Sequence, residues 1–335
     1  MTVTAGRTGS NTGGHTGGHT GGNAAGHAGG NGSKGLLAPL VGPLSTRLEH
    51  ERAEPLFRRD PAFIGRKLAA VARYTDFFSP EVKELDNLPA TGPVLLVGNH
   101  SCLFYMPDAW VVAQAIIKRR GLEQPAYALG YDLLFGLPVV GPFLRRIGAI
   151  PAGGREAELA LEQGAAVLVY PGGDLEACRP WSQRDRVDLA GHKGFVRLAL
   201  HAGVPVVPVV THGSHHAVVV VSRGDRLASA LGLKRIRINV FPILVGPPFG
   251  VTTILVPPLP MPASITVEFL PALDWSRYGP DAADDPDVVD TCYEETTTVM
   301  QAALDRLRTD YPHPVMRGVR NLLRRGPGRT AEPDP

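Results

Sequence analysis

The chain has 335 residues, which is enough for one large α/β domain or two smaller ones. A hydrophobic content of 44% excludes a wholly disordered chain, and a net charge of only +2 gives no reason to expect a nucleic-acid partner. The three cysteines (Cys102, Cys178, Cys292) lie far apart, which excludes a disulfide framework or a paired-cysteine metal site and suits a reducing cytoplasm.

Residues 1–38 are rich in glycine and histidine and contain a short Gly-Gly-His-Thr repeat. They have almost no apolar side chains to offset the entropy of ordering, so the sequence predicts a disordered tail. His15, His19 and His27 could bind a transition metal weakly, but a polar linker with incidental histidines is the preferred interpretation. The tail lacks the apolar stretch of a signal peptide.

Residues 39–79 are predicted to form an N-terminal helical segment. Arg66, Lys67 and Arg73 interleave there with apolar residues at spacings of three and four. Such a basic amphipathic helix either lies on a membrane surface or packs against its own domain, and the sequence leaves both open.

Strands then alternate with helices. The apolar runs predict strands, and Pro107 with Asp108 marks the start of one intervening helix, which Gly121 closes. This alternation predicts an α/β fold, a mixed and largely parallel sheet flanked by helices, with its chemistry in the loops at the carboxyl ends of the strands. The predicted elements are strand 94–97, helix 108–121, helix 156–163, strand 165–170, helix 192–203, strand 204–210, a returning strand 266–273 and a helix around 296–307.

Residues 238–267 carry no charge, but seven prolines interrupt them, which excludes a membrane-spanning helix. We expect this apolar segment to cover the site or to enter one leaflet of a membrane. At the end of the chain, residues 313–335 are predicted to be a basic, flexible tail. Its arginines are either solvated or attracted to anionic lipid.

His100 directly follows a predicted buried strand, and Asp108 lies close downstream. An imidazole can take a proton from a hydroxyl, and a carboxylate can fix its tautomer. Cys102 as a nucleophile is disfavoured because two residues of one turn rarely supply both nucleophile and base. His212, His215 and His216 could suggest a metal, but adjacent histidines point apart on an extended backbone, so a polar rim of the site is preferred.

The stretches NLPATGPVLLVGNHS, YPGGDLEACRP and HKGFVRLALHAGVPVVPVV resemble the glycerolipid acyltransferases, and among them the mono- and diacylglycerol acyltransferase-like branch. The resemblance covers roughly residues 80–275 and implies an acyltransferase domain over 80–312. It implies that His100 is the general base and Asp108 its orienting partner. The acid usually follows the histidine by five residues, where this chain has Tyr105. Some neutral-lipid members have the longer spacing.

The resemblance also implies substrate-binding residues around the dyad. Arg155 either faces a phosphate or begins a helix. Arg179 either binds the phosphates of coenzyme A or pairs with Asp174 or Glu176. Gly172 and Gly173 offer backbone N–H groups to an oxyanion. They stand where the phosphate-using members have a glutamate. The implied substrate-binding residues are Asn99, Ser101, Arg155, Pro171, Gly172, Gly173, Glu176 and Arg179.

The sequence therefore favours an O-acyltransferase that moves a fatty acyl group from a thioester to a neutral glycerolipid or a long-chain alcohol. There are three alternatives: a 1-acylglycerol-3-phosphate-type acyltransferase, a lipid hydrolase or thioesterase, and a non-catalytic lipid-binding protein. The hydrolase would need a G-x-S-x-G string, which the chain lacks. We expect no metal and no cofactor beyond acyl-CoA, or acyl carrier protein, as donor. The expected partners are that donor, a lipid acceptor and a membrane surface, and the expected location is the cytoplasmic face of a membrane, peripheral or monotopic.

Overall fold

The computed structural model describes residues 57–101, 105–233 and 239–325. The expected tail over 1–38 and the first part of the N-terminal helical segment lie outside these residues. The helices of the described part are α1 (Pro61–Asp76), α2 (Pro107–Arg120), α3 (Asp132–Phe135), α4 (Val140–Arg146), α5 (Gly154–Glu162), α6 (Gly173–Ala177), α7 (Gly194–Ala202), α8 (Asp225–Ala230), α9 (Pro286–Asp310) and α10 (Pro314–Arg325).

The strands form a seven-stranded sheet and a three-stranded antiparallel sheet. They are β1 (Glu81–Lys83), β2 (Val94–Gly98), β3 (Ala126–Gly130), β4 (Ala149–Pro151), β5 (Ala166–Val169), β6 (Val206–His212), β7 (Val219–Ser222), β8 (Ile243–Gly246), β9 (Gly250–Thr253) and β10 (Thr266–Phe269).

In the large sheet the strand order is β1-β10-β6-β2-β5-β3-β4. Strands β6, β2, β5, β3 and β4 are parallel, whereas β10 pairs antiparallel with β6 and carries β1 parallel to itself. The predicted mixed, largely parallel sheet flanked by helices is therefore confirmed. Strand β2 lies in the middle, so the loop that follows it is flanked by the loops after β5 and β6.

Both faces of this sheet are buried. Side chains alternate along β2: Leu95 and Val97 pack with α5, α7 and α9, whereas Val94 and Leu96 pack with α2 on the other face. Burial on both faces explains why these strands are continuous apolar runs instead of alternating patterns.

The predicted helix boundaries are close to those observed, with two exceptions. The helix expected around 296–307 begins at Pro286, because Asp285 caps it and accepts the N–H groups of Asp287 and Val288. The flexible tail expected after residue 312 is wrong for Pro314–Arg325, which form α10. This helix is stabilised by packing closely on the rest of the chain. A Cβ at Gly318 would lie 1.5 Å from the carbonyl oxygen of Pro262, so the close contact depends on the glycine.

The uncharged segment 238–267 contributes β8 and β9 to the small sheet. Among the residues that the structure describes, none of the helices is both long and apolar enough to cross a bilayer.

Candidate active site

The candidate active site lies where β2, β5 and β6 end. These strands are parallel neighbours, with Val97 opposite Val169 and Gly98 opposite Val209. Their carboxyl ends therefore bring together the loop after β2, the Pro-Gly-Gly turn after β5 and the short 3-10 turn after β6. This is the edge at which open α/β sheets bind ligands.

His100 and Asp108 are in contact at this edge. The imidazole Nδ1 lies 2.8 Å from Asp108 Oδ2, and the same oxygen accepts the backbone N–H of Ser101 at 3.0 Å. Both residues are buried, with 6% of His100 and none of Asp108 exposed. The structure thus brings together the histidine and the acid that the sequence singled out, despite their eight-residue separation.

The start of α2 explains how an acid eight residues away reaches the histidine. Met106 has a left-handed backbone (φ 43°), and Pro107 then begins the helix with its fixed φ. Asp108 therefore lies in the first helical turn, where unpaired N–H groups give the helix end a partial positive charge. A carboxylate is favoured at that position and points back at His100.

Asp108 fixes both the charge balance and the tautomer of His100. Burial by itself would lower the pKa of the imidazole, but the charge of Asp108 and its hydrogen bond outweigh burial, so the pKa is raised above its usual value. In the neutral ring the Asp108 contact assigns the proton to Nδ1 and leaves Nε2 as the basic nitrogen. This is the state that a general base requires.

The peptide group of His100 is also held at both ends. Glu176 Oε2 accepts the backbone N–H of His100 at 2.9 Å. Arg179 Nη1 donates to the backbone carbonyl of His100 at 3.3 Å, and the two side chains form an ion pair with a 3.3 Å separation. We call this pair the His100 clamp. It fixes the backbone from which the imidazole projects.

The guanidinium of Arg179 is used entirely within the protein. Besides Glu176 and His100, it donates to the carbonyls of Gln183 and Arg184, and its side chain is 1% exposed. Of the two roles that the sequence left open, this geometry favours the structural one, with Glu176 and not Asp174 as the partner. Burial lowers the pKa of Arg179 and raises the pKa of Glu176 to about 7.

Tyr170 stacks on the His100 ring, with centroids 4.6 Å apart. The glycine at the end of β2 makes this possible, because a Cβ on Gly98 would lie 2.4 Å from the Tyr170 ring. The Tyr170 hydroxyl is buried and has no hydrogen-bond partner among the described residues. Burial, together with the charges of Asp108 and Glu176, raises the pKa of this phenol well above its usual value.

Asn99 and Ser101, expected to bind substrate, are buried and make contacts inside the protein. The Asn99 amide exchanges two hydrogen bonds with the backbone of Thr211, at 3.0 and 2.7 Å, which ties the β2 loop to β6. The Ser101 hydroxyl hydrogen-bonds the hydroxyl of Ser214. These contacts indicate that both side chains brace the loop that carries His100.

The Pro-Gly-Gly turn lies beside His100, as expected. The Gly173 N–H is already donated to the carbonyl of Tyr170 at 3.1 Å, so it is not one of the free N–H groups that the sequence suggested. Pro171 accepts a hydrogen bond from His192 through its carbonyl. At Gly172 a Cβ would lie 2.4 Å from the Glu176 Cβ, so the glycine allows Glu176 to pack under the turn.

Arg155 is exposed in the first turn of α5, at the carboxyl end of β4. Three strand spacings, about 14 Å, separate β4 from β2. Arg155 therefore begins a helix and does not reach the dyad, although it lies on the same edge of the sheet.

His212, which ends β6, and His215 and His216 in the turn after it are largely buried. His215 donates its Nε2–H to the carbonyl of Arg179 at 2.9 Å, and its Nδ1 has no hydrogen-bond partner among the described residues. His212 and His216 line a cavity of about 420 Å³. Burial lowers the pKa of all three, that of His216 to about 3. In the described part of the chain, no group of three or more potential ligand side chains is arranged for a metal ion.

The sequence did not single out Tyr170, Ser214 or the joint action of Glu176 and Arg179 on the His100 peptide. Tyr170 carries a usable signal: it follows β5 directly, opposite a glycine that ends the neighbouring strand. A glycine in a strand often marks the close approach of another group. Ser214 has no such signal, because its contact with Ser101 depends on the turn after β6.

Comparison with known proteins identifies a family match over the part of the chain that carries this site. Residues 79–212 match the family model described as Acyltransferase. An uncharacterized protein of Mycobacterium tuberculosis is 27% identical over 274 residues, covering 81% of this chain and 74% of that protein. A Gallus gallus protein named "DGAT1/2-independent enzyme synthesizing storage lipids" is 26% identical over 190 residues, covering 56% of this chain and 54% of that protein.

Among solved structures, the 1-acyl-sn-glycerophosphate acyltransferase PlsC from Thermotoga maritima aligns with a TM-score of 0.44 at 19% identity, covering 79% of this chain and 88% of that chain. The family match contains His100, Asp108, the Pro-Gly-Gly turn and the whole His100 clamp. Residues 79–212 of this chain are an acyltransferase-family domain.

Proposed function

We propose that this protein is an O-acyltransferase that moves a fatty acyl group from a thioester, acyl-CoA or acyl carrier protein, to the hydroxyl of a neutral lipid. The observation that carries the proposal is the buried contact between His100 Nδ1 and Asp108 Oδ2. It leaves one basic nitrogen, Nε2, on a rigidly held ring, which is the arrangement that general-base catalysis uses.

In the proposed reaction, His100 Nε2 removes the proton of the acceptor hydroxyl as its oxygen attacks the thioester carbonyl carbon. The carbon–sulfur bond of the resulting tetrahedral species then breaks, and the leaving thiolate takes the proton from the imidazolium. An ester and a free thiol are formed, and no acyl-enzyme occurs. Asp108 stabilises the imidazolium that exists between the two proton transfers.

The neutral acceptor is supported by the burial of Arg179. An acceptor phosphate needs an accessible cation, but the Arg179 guanidinium is 1% exposed and already bonded to Glu176 and to backbone carbonyls. The name of the Gallus gallus relative, which refers to storage lipids, points in the same direction. We therefore favour a diacylglycerol or a long-chain alcohol over lysophosphatidate.

The location that goes with this function is a membrane surface. We propose peripheral attachment on the cytoplasmic face, supported by the uncharged segment 238–267, in which Phe249, Leu255 and Leu259 are 60%, 77% and 59% exposed. Large exposed apolar side chains close together are typical of membrane or protein contacts.

The test is product analysis by mass spectrometry. Purified protein is incubated with acyl-CoA and, in parallel, with diacylglycerol, a long-chain alcohol, lysophosphatidate or no acceptor. We expect acyl esters of the neutral acceptors. His100→Ala is expected to lower their formation by about 100- to 10,000-fold, the usual contribution of a general base.

A matched control is His201→Ala, which removes an exposed histidine from α7. This control should keep wild-type turnover. Normal ester formation by His100→Ala would disprove the mechanism, free fatty acid without acceptor would indicate a hydrolase, and a clear preference for lysophosphatidate would overturn the neutral acceptor.

A further inference from the structure

The large apolar side chains that remain exposed are unevenly distributed over the described residues. Apart from Val82, they all lie in three segments: residues 131–143, which follow the carboxyl end of β3; residues 221–259, which lie between β6 and β10; and helix α10. A monomeric soluble protein rarely concentrates exposed apolar side chains in this way.

The second segment belongs to the carboxyl edge of the large sheet. It is part of an excursion that leaves the sheet after His212, the last residue of β6, and returns at Thr266, the first residue of β10. His212 and Thr266 are directly opposite each other in the antiparallel register. The excursion therefore begins and ends at the same edge of the sheet as His100.

Helix α10 is attached to this excursion. The backbone N–H of Ser264 donates to the carbonyl of Pro314 at 2.9 Å. One turn further along α10, Gly318 allows the helix backbone to lie directly against Pro262. The contact places the helix at the carboxyl edge and leaves its opposite side facing outward.

The outward side of α10 has two parallel stripes. Met316, Val319 and Leu323 are 70%, 41% and 78% exposed, and their spacing of three and four residues places them on one helical face. Arg320 and Arg324, also exposed, form the stripe beside them. Helix α10 contains no aspartate or glutamate.

We infer that the carboxyl edge of the large sheet, formed by α10 and by residues 213–233 and 239–265 of the excursion, docks onto an anionic lipid bilayer, with α10 lying in the plane of the interface. We call this surface the lipid-facing edge. Apolar side chains beside arginines suit a helix that inserts shallowly while its cations contact lipid phosphates. A second copy of the chain would bring like charges together along the same stripe.

This inference deepens the proposed function, since a bilayer at this edge would supply a lipid hydroxyl near His100. Binding to lipid can nevertheless be measured without any acyl transfer. If the wild-type protein binds vesicles but transfers no acyl group, only the proposed function is contradicted. If it acylates a soluble alcohol but does not bind vesicles, only the docking surface is contradicted.

The experiment is co-sedimentation of the full chain with vesicles of phosphatidylcholine alone or mixed with phosphatidylglycerol. We expect stronger binding to the mixed vesicles and weakening by salt. The variant Arg320→Gln/Arg324→Gln should bind the mixed vesicles about 30-fold more weakly, which corresponds to two basic residues near an anionic surface.

The matched control is Arg277→Gln/Lys118→Gln. It removes the same charge from exposed positions on the Ser276–Tyr278 turn and on the last turn of α2, away from Asp108 at its first turn. This control should bind mixed vesicles within about twofold of the wild type, as long-range attraction is screened beyond a Debye length. Equal losses in both double variants would show a non-specific charge effect and overturn the inference.

The apolar stripe is tested by Leu323→Ser, with Val82→Ser as its control. Losing a buried leucine contact should weaken binding to both kinds of vesicle by about tenfold or more. Circular dichroism of the variants checks that α10 still forms. The wild type could instead fail to bind vesicles and sediment as a dimer, with Leu323→Ser sedimenting as a monomer. That result would show that a second copy of the chain covers the lipid-facing edge, and the lipid assignment would be wrong.

Discussion

Glu176 accepts the backbone N–H of His100 through Oε2 at 2.9 Å, although neither its side chain nor that of Arg179 is exposed to substrate. A buried carboxylate is costly unless it is paired and hydrogen-bonded. Here Arg179 pairs with it and at the same time holds the carbonyl of His100. The buried ion pair therefore has a positioning role at the dyad, on top of any contribution to folding.

This role predicts a specific kinetic effect of Glu176→Ala. Without the carboxylate the His100 peptide shifts, and a misplacement of about 1 Å can lower the rate about 100-fold. We expect kcat to fall by about that factor with KM nearly unchanged, as measured by steady-state transfer to a neutral lipid. Glu176→Gln keeps an oxygen that can accept the His100 N–H and should recover part of kcat. A raised KM with an unchanged kcat would instead place Glu176 in contact with substrate.

The folding control for these variants is urea unfolding. Breaking a buried ion pair by removing one partner costs about 3–5 kcal/mol. The exposed pair between Lys193 and Asp290 provides the comparison, since Asp290→Ala should cost less than about 1 kcal/mol. Kinetic constants are compared only at temperatures where each variant is fully folded.

Asp108→Asn is expected to move the acid limb of the pH–rate profile to lower pH. The Asp108 charge and hydrogen bond raise the pKa of His100 against the opposing effect of burial. A general base works in its neutral form, so wild-type activity falls as pH drops through this raised pKa. Without the charge, burial dominates and the pKa falls below its usual value of about 6.5.

The same variant should lower the maximal rate by about 100- to 10,000-fold, because the amide no longer stabilises the imidazolium or fixes the tautomer. The measurement is kcat/KM from pH 5 to pH 9. An acid limb that stays in place or moves to higher pH would show that Asp108 does not set the pKa of the base.

Tyr170→Phe separates the ring from the hydroxyl of this residue. The stack on His100 needs only the ring, and the buried hydroxyl has no partner among the described residues. Removing an unpaired buried polar group should stabilise the protein by about 1 kcal/mol, seen as a higher Tm, with turnover within about threefold of wild type. A large loss of turnover at unchanged stability would mean that the hydroxyl donates a hydrogen bond to the reacting groups.

Much of this architecture could be predicted because burial on both faces leaves a plain signal. Strands β2, β5 and β6 are continuous apolar runs, and Pro107 and Gly121 bound α2. Strand β3 was missed because AYALG is short, contains small residues and lies towards the edge of the sheet. Its identity depends on pairing with β5 and β4 and not on its own pattern.

The site divides in the same way. His100 and Asp108 could be predicted from residue type and position, since a turn followed by a helix start brings them together. The direction in which Arg179 faces could not, because an arginine three residues after a glutamate suits either a surface pair or a buried one. Only the packing of α6 beneath the β2 loop decides between them. The spacing of residues in the sequence does not show whether the Arg179 side chain is buried by the tertiary structure.

The histidines after β6 predict that the protein loses stability in mild acid. Burial lowers the pKa of His216 to about 3, whereas an unfolded histidine titrates near 6.5. Between about pH 6.5 and pH 3 His216 is therefore protonated in the unfolded state but neutral in the folded state. The stabilisation present above pH 6.5 is lost as pH falls through this range. Between pH 7 and pH 5 the titration of His216 should lower the free energy of unfolding by about 2 kcal/mol.

Urea titrations at the two pH values measure this difference. His216→Gln should reduce it by that amount, whereas His201→Gln, at an exposed position on α7, should leave it unchanged. An equal pH dependence in wild type and His216→Gln would show that folding does not lower the pKa of this histidine.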